Sequence, residues 1–467
     1  MLSDMLKPYA YRWPYEELST AIGGQFIKDK QNYILNMPEK VEDISKDSRW
    51  PVFFPSAISL VTTGDSSKTA LEKVVGASIV NRFPYILALN FCKKELSKRH
   101  HGRKSFMEAL ENNGSAAIQF IPPGSVLDKV MTVISTIPEN EMHKRIQQTQ
   151  LPVRKAEMNP APVFEASYMV YEARLVKPGK DFDGNPIYTH PWIDIGSHRV
   201  YFMEINAIQL RQDIAEGRSQ VLWRSLPAWE PEFQKAAPAH KIMDIPHDGS
   251  YMKKFNPYYK FPAENTVAFE ADEVKGNMSI KYLPPLPEDQ VEVDNDRARW
   301  PCFFPSSLVM ITSWSKTGEA NLMPCGSTFV ASRYPMVIAT CISYAGINER
   351  YAPRATLNFI RKSGKFGCGV PFINDLVLNA INYSGNVSMR KDPLKMVHSG
   401  LSFEGRDLCP VLTDLPIHFS CMVIDEVKLG THTMFLGEVE QIQVRSDVTP
   451  DNSIEWCPWV DILGNSR

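Results

Sequence analysis

Arg49 to Ser56 reads RWPVFFPS, and Arg299 to Ser306 reads RWPCFFPS. Nearly the same octet written twice at so long an interval constrains any fold of this chain, because self-similarity at a fixed spacing marks repeated structural units. The agreement continues downstream. AISLVTT (57 to 63) lies opposite SLVMITS (307 to 313), and GASIVNRFPYILALNF (76 to 91) opposite GSTFVASRYPMVIATCI (326 to 342), which sets Arg82 against Arg333 and Pro84 against Pro335. RKSFMEALENNG (103 to 114) then faces RATLNFIRKSG (354 to 364). GSHRVYFMEINAIQLRQD (196 to 213) faces GTHTMFLGEVEQIQVRSD (430 to 447), aligning His198 with His432 and Glu204 with Glu438. Matched blocks in one order make the chain a tandem duplication.

The boundaries expected from these blocks are an N-terminal extension (1–44), a first domain (45–215), a connecting strap (216–294), a second domain (295–450) and a C-terminal tail (451–467). The 467-residue length also asks for more than one core. The strap is rich in proline and aromatics (VLWRSLPAWEPEF, FNPYYKFP, KYLPPLPED), too aromatic for a disordered linker. It is expected to be ordered and to pack against one or both units, or else to offer its aromatics to a ligand. The Trp and Phe residues of the octets are expected to pack the entry to each unit's first strand.

Within a unit, short β-branched apolar runs bounded by turns predict strands. Helices are expected after each Arg-x-Ser/Thr, ending at Gly114 and Gly364, with Ser105 and Glu108 as a capping box. Further helices are expected around SVLDKVMTVIS and INDLVLNAINYS. The fold class is therefore mainly β with short helices (α+β), a barrel or sandwich. No Gly-x-Gly-x-x-Gly follows a strand, which disfavours a Rossmann domain. GKFGCGV lacks the Lys-Ser/Thr ending of a phosphate loop and alternates like a strand.

Charge narrows the partners. Lys and Arg number 51 against 53 Asp and Glu, a net charge of −2, so no overall basic field favours nucleic acid or an anionic membrane. No stretch approaches the roughly 18 apolar residues of a spanning helix. The N-terminus carries acids and prolines where a secretory signal would be apolar. A cytoplasmic setting is the expectation. The eight cysteines form no Cys-x-x-Cys, and the adjacent His100 and His101 lack a helical partner, so buried free thiols are expected and no metal site.

Three motifs of the second repeat, GEANLMPCGSTFVASRYPMVIATCI, RATLNFIRKSGKFGCGV and GTHTMFLGEVEQIQV, resemble in order and spacing the flavin reductase-like, FMN-binding split-barrel family. The first repeat resembles it less: SSKTALEKVVGAS replaces the Gly-x-x-Asn segment, Met203 stands opposite Gly437, and KPGKDFDGNPIYTHPWIDIG is inserted before its histidine. The resemblance implies two tandem FMN-binding split β-barrel domains forming an intramolecular pseudo-dimer, since family members are usually two-fold dimers with FMN at the interface. Further oligomerisation is compatible with it.

FMN bears a dianionic phosphate, and a helix N-terminus with a hydroxyl and a guanidinium is a ready anion site. Arg354 with Thr356, and Arg103 with Ser105, supply that set; the alternative is plain caps beside solvated arginines. Asn321, Cys325, Gly326, Ser327 and Thr328 occupy the stretch that the resemblance lays against the isoalloxazine ring, or are ordinary strand-end residues. His432 and His198 are the catalytic candidates, since imidazole moves protons near neutral pH. Their alternative is a half-buried histidine bonded to a neighbouring carbonyl. The implied function is an FMN-dependent oxidoreductase, with NAD(P)H as co-substrate and the second repeat the better site. A specialised flavoenzyme for a dedicated organic substrate and a non-catalytic flavin scaffold are the alternatives.

Overall fold

The computed structural model describes residues 59–211 and 308–445, short segments inside them excepted, with the backbone of several strands elsewhere. The octet aromatics (Trp50, Phe53, Phe54, Trp300, Phe303, Phe304), Arg82, the side chain of Arg333 and most of 216–294 lie outside the described residues. Strand β1 is Asn32–Asn36. The first unit runs β2 (Ser59–Thr63), β3 (Ala70–Val74), β4 (Gly76–Asn81), β5 (Ile86–Cys92), α1 (Lys104–Asn113), β6 (Ser115–Phe120), α2 (Ser125–Thr136), α3 (Arg145–Thr149), β7 (Met169–Leu175) and β8 (His198–Arg211). After β9 (Met278–Tyr282) the second runs β10 (Val309–Trp314), β11 (Ala320–Cys325), β12 (Thr328–Arg333), β13 (Met336–Ser343), α4 (Ala355–Ser363), β14 (Lys365–Val370), α5 (Asp375–Asn386), α6 (Lys395–His398), β15 (Ile417–Lys428) and β16 (His432–Arg445).

The core strands lie in the order β3-β2-β6-β7-β8-β5-β4 in one unit and β11-β10-β14-β15-β16-β13-β12 in the other. Position for position these are one topology. Register agrees as well: His198 sits opposite Cys92 and His432 opposite Ser343, and the β4–β5 and β12–β13 hairpins both slip, between Ile79 and Asn81 and between Val330 and Ser332. A bulge kept at the same place twice is a feature of the unit rather than an accident. The predicted helices form, and GKFGCGV is a strand.

Each sheet curls until both ends of its strand order meet one interior. In the second unit Met323 of β11 and Val330 of β12 share a buried cluster with Phe366, Phe419 and Phe435, and α4 plugs it with Leu357 and Ile360. Side chains alternate across a strand, so the unbroken apolar runs ILALNFC and MVIATCIS must bury both faces. Leu87, Leu89 and Ile338 point into their own barrels, while Ile86, Ala88, Val337 and Ala339 join one cluster drawn from both units. Each Leu, Ile or Val side chain so buried contributes about 1.5–3 kcal/mol.

Polar contacts cross the same face. Ser197 Oγ lies 3.3 Å from Ser332 Oγ, and Thr431 Oγ1 donates to Asn81 Oδ1 at 2.9 Å. Ser197 corresponds to Thr431 and Asn81 to Ser332, so these are one contact made twice. The inserted loop reaches across too: Lys428 Nζ pairs with Asp181 at 3.2 Å, and Tyr188 donates its hydroxyl to Leu429 O. Finally, β1 pairs with β16 (Asn32 opposite Arg445) while β9 pairs with β8 (Tyr282 opposite Ala207). The strand preceding the first unit extends the second, and the strand preceding the second extends the first.

Candidate functional site

Ser343, at the end of β13, ties the site together. It pairs with His432 at the start of β16, and its carbonyl accepts the amide of Arg354 at 3.2 Å. Arg354 is the N-cap of α4 and makes no side-chain cap bond; the helix closes at Gly364, whose φ of 67° suits glycine. Thr356, in the first turn and 2% exposed, accepts a hydrogen bond from Asn321 Nδ2 at 2.9 Å. Asn321 is 1% exposed, also donates to Ser313 Oγ at 3.2 Å, and its Oδ1 has no partner among the described residues. Turning the amide over would only exchange which atom is orphaned. A buried amide atom without a partner is costly, and here it stands beside a helix N-terminus.

The β11–β12 turn lies alongside. Cys325 and Thr328 face inward, with Thr328 Oγ1 3.0 Å from Thr340 Oγ1 and 3.4 Å from Cys325 Sγ. Gly326 and Ser327 are half-buried, and Ser327 O accepts the amide of Cys341 at 2.9 Å. The Thr328 hydroxyl is thus engaged within the strand pair, leaving Gly326 and Ser327 as the outward part of that stretch.

Both histidines are more buried than expected, and each bonds the hydroxyl of the preceding residue. His432 Nδ1 lies 2.8 Å from Thr431 Oγ1, and His198 Nδ1 lies 2.7 Å from Ser197 Oγ. The His432 amide donates to Asn81 Oδ1 of the other unit at 3.0 Å. One buried lysine was not singled out from sequence. Lys395, first residue of α6 and 4% exposed, is brought down to about 7 by burial and then by the nearby charge of Arg354, against a weaker opposite pull from Asp392. Aligning the repeats beyond Gly364 would have found it, set against Arg145.

The first unit builds the same corner differently. The amide of Arg103 reaches Cys92 O at 2.8 Å, matching Arg354 and Ser343. Its Nε, however, meets Glu72 at 2.9 Å, and Arg145 meets the same carboxylate at 2.7 Å. Glu139 accepts the amides of Phe106 and Ser105 at the start of α1, its pKa raised chiefly by burial. The expected capping box is absent: Arg103 is the N-cap, Ser105 lies inside the helix, and Glu108 turns to Lys104 at 3.8 Å. A full carboxylate takes the N–H groups that a serine hydroxyl would have capped.

Residues 301–458 match the family model described as "Flavin reductase like domain". Those residues form a flavin reductase like domain. The ferric-chelate reductase (NAD(P)H) of Archaeoglobus fulgidus is 26% identical over 137 residues, 28% of this chain and 74% of its own length. Among solved structures, nitrilotriacetate monooxygenase component B of Bacillus cereus is 18% identical over 38% of this chain and 87% of its own, with a TM-score of 0.31. Flavoredoxin of Methanosarcina acetivorans is 17% identical over 32% and 74%, with a TM-score of 0.27. Asn321, Cys325 to Thr328, Arg354, Thr356 and His432 all fall within the flavin reductase like domain, which marks the chain as an oxidoreductase; Arg103, Ser105 and His198 fall outside its bounds. Among the described residues no helix is long and apolar enough to cross a membrane.

Proposed function

We propose that this chain is an FMN-dependent reductase with one flavin site, built in the second repeat, that takes its electrons from NAD(P)H. The observation carrying this is the orphaned amide atom of Asn321 beside Thr356 and the α4 N-terminus. Buried polar groups are nearly always partnered, so a bound group with polar atoms is what completes the corner. The Archaeoglobus relative, a ferric-chelate reductase (NAD(P)H), supports the choice of donor.

Bound there, a flavin supplies hydride and electron transfer that no side chain can. The chain's part is binding, orientation and exclusion of water. Thr356 accepts from Asn321 and so keeps its O–H to donate to a phosphate oxygen, while the first amides of α4 and the Arg354 guanidinium supply further donors. The outward Gly326–Ser327 turn presents backbone to a ring edge. Thr431 holds His432 beside Ser343, where its other ring nitrogen can hold or move a proton.

The reciprocal contacts of Ser197 with Ser332 and Thr431 with Asn81 support reading the two units as a pseudo-dimer within one chain. Six described cysteines, free and buried, are in keeping with a reducing, cytoplasmic setting. The test is spectroscopic. Purified protein loaded with FMN and mixed anaerobically with NADH or NADPH should bleach near 450 nm, the usual flavin band, on the order of seconds. A protein that takes up no FMN would sink the flavin reading; a yellow protein that neither nicotinamide bleaches would sink the donor alone.

A further inference from the structure

The reciprocal contact between the two units is not chemically symmetric. On one side Ser197 meets Ser332, two hydroxyls 3.3 Å apart, and either can donate. On the other Thr431 meets Asn81, a buried amide whose orientation is decided by its neighbours. Asn81 Nδ2 donates to Pro84 O at 2.7 Å, and Asn81 Oδ1 accepts the backbone amide of His432 at 3.0 Å. Turned over, the side chain would set its N–H groups against an N–H and its oxygen against a carbonyl, so both partners require the same placement.

The positions of the protons follow. A hydroxyl carries one proton, and Thr431 gives its own to Asn81 Oδ1 at 2.9 Å, because an amide oxygen can only accept. Toward His432 Nδ1, 2.8 Å away, the same hydroxyl has only lone pairs to offer. Nδ1 must then carry the hydrogen, and in the neutral ring the lone pair falls to Nε2. Turning the ring over would put a carbon in the hydroxyl's reach instead. In the first unit His198 Nδ1 lies 2.7 Å from Ser197 Oγ, but Ser332 can donate to that hydroxyl as well as accept from it, so the contact fixes neither tautomer. The turn that delivers His432 is also held from the first unit at a second point. Tyr188 donates its hydroxyl to Leu429 O from a backbone with a φ of 53°, a conformation aromatic residues rarely adopt, and Leu429 N closes the turn on His432 O at 2.9 Å.

We infer that Asn81 of the first unit is a positioning residue for His432 of the second: through Thr431 it holds that ring as the Nδ1–H tautomer, so that Nε2 takes up a proton and, while the ring is neutral, has none to give. The contact of Ser197 with Ser332 does not hold His198 in this way, so the duplicated histidines differ in chemistry although they occupy matching register positions. The use of the proton rests on the reductase reading; the nitrogen that carries it does not.

The test is nitrogen NMR of the full chain, isotopically labelled at its ten histidines, without flavin and at about pH 8, above the ordinary imidazole range. His432→Gln and His198→Gln assign the two ring signals. His432 should show a hydrogen on Nδ1 and a bare Nε2. In Asn81→Ala the Thr431 hydroxyl is released to donate to the ring, and the His432 pattern should move toward the Nε2–H tautomer; Thr431→Ser keeps the hydroxyl and should retain the wild-type pattern. The wild-type spectrum decides by itself if Asn81→Ala does not fold: a hydrogen on His432 Nε2, or an imidazolium at that pH, overturns the inference. A folded Asn81→Ala with the wild-type pattern overturns the role of Asn81. Loaded with FMN, Asn81→Ala should keep its flavin affinity and be reduced by NAD(P)H about 10-fold more slowly, or slower still. A shifted tautomer with unchanged reduction overturns Asn81 as a positioning residue for the reaction. A chain that binds no flavin yet shows the Nδ1–H ring, shifted in Asn81→Ala, defeats the reductase reading and upholds the setting of His432 by Asn81.

Discussion

At the scale of single residues, Thr356 and Lys395 make separable demands. Thr356→Ala removes a hydroxyl donor and leaves one N–H of Asn321 without its acceptor, so FMN binding should weaken about 10- to 100-fold; Ser105→Ala should change it by less than about twofold, because Glu139 already holds that helix start. Fluorescence titration of each variant measures this. Lys395 adds a pH dependence. Burial brings its ammonium down to about 7, against 10.5 for an ordinary lysine. The folded chain carries the cost of a buried charge below about 7 and sheds it toward 10.5, so stability should rise across that window, and Lys395→Met should flatten the rise. A wild-type stability that is level between about pH 7 and 10.5 would contradict this.

At the scale of elements, the two barrels fill the same interior with exchanged volumes. Phe366 of β14 lies over Gly437 of β16, where an added Cβ would meet its ring and stand 2.8 Å from Cys421 Cβ. The first unit has Ala116 and Met203 at those positions, both in its core. The departure of Met203 from the family pattern is thus a packing exchange. Gly437→Met should cost at least about 1–3 kcal/mol by overpacking. Adding Phe366→Ala should restore part of it, read as a positive coupling in a double-mutant cycle of melting curves. Much at this scale was legible in sequence. Strands, helices and the closing His-led strand were carried by local periodicity, glycine stops and the octet-set register. The capping box was not, because the competing carboxylate, Glu139, arrives from a segment beyond α2, and no local pattern announces it. Lys395 was hidden for the same reason: a lone lysine opening a four-residue helix acquires meaning only when it is set against the buried Arg145 of the first unit.

At the scale of the molecule, a shared apolar cluster, reciprocal polar contacts and the Lys428–Asp181 pair join the halves, so they should melt together. Calorimetry of the ligand-free chain should give a single transition, and two well-separated transitions would show the units to be independent. What the duplication allows is divergence: one corner holds the carboxylates Glu72 and Glu139 where the other has the buried methionines Met323 and Met389. Stoichiometry tests that most directly. Equilibrium titration with FMN should give one flavin per chain for the wild type and for the Arg103→Ala/Ser105→Ala double variant, and loss of tight binding for Arg354→Ala/Thr356→Ala. Two flavins per chain, or binding abolished by the first-unit pair and spared by the second, would contradict the account.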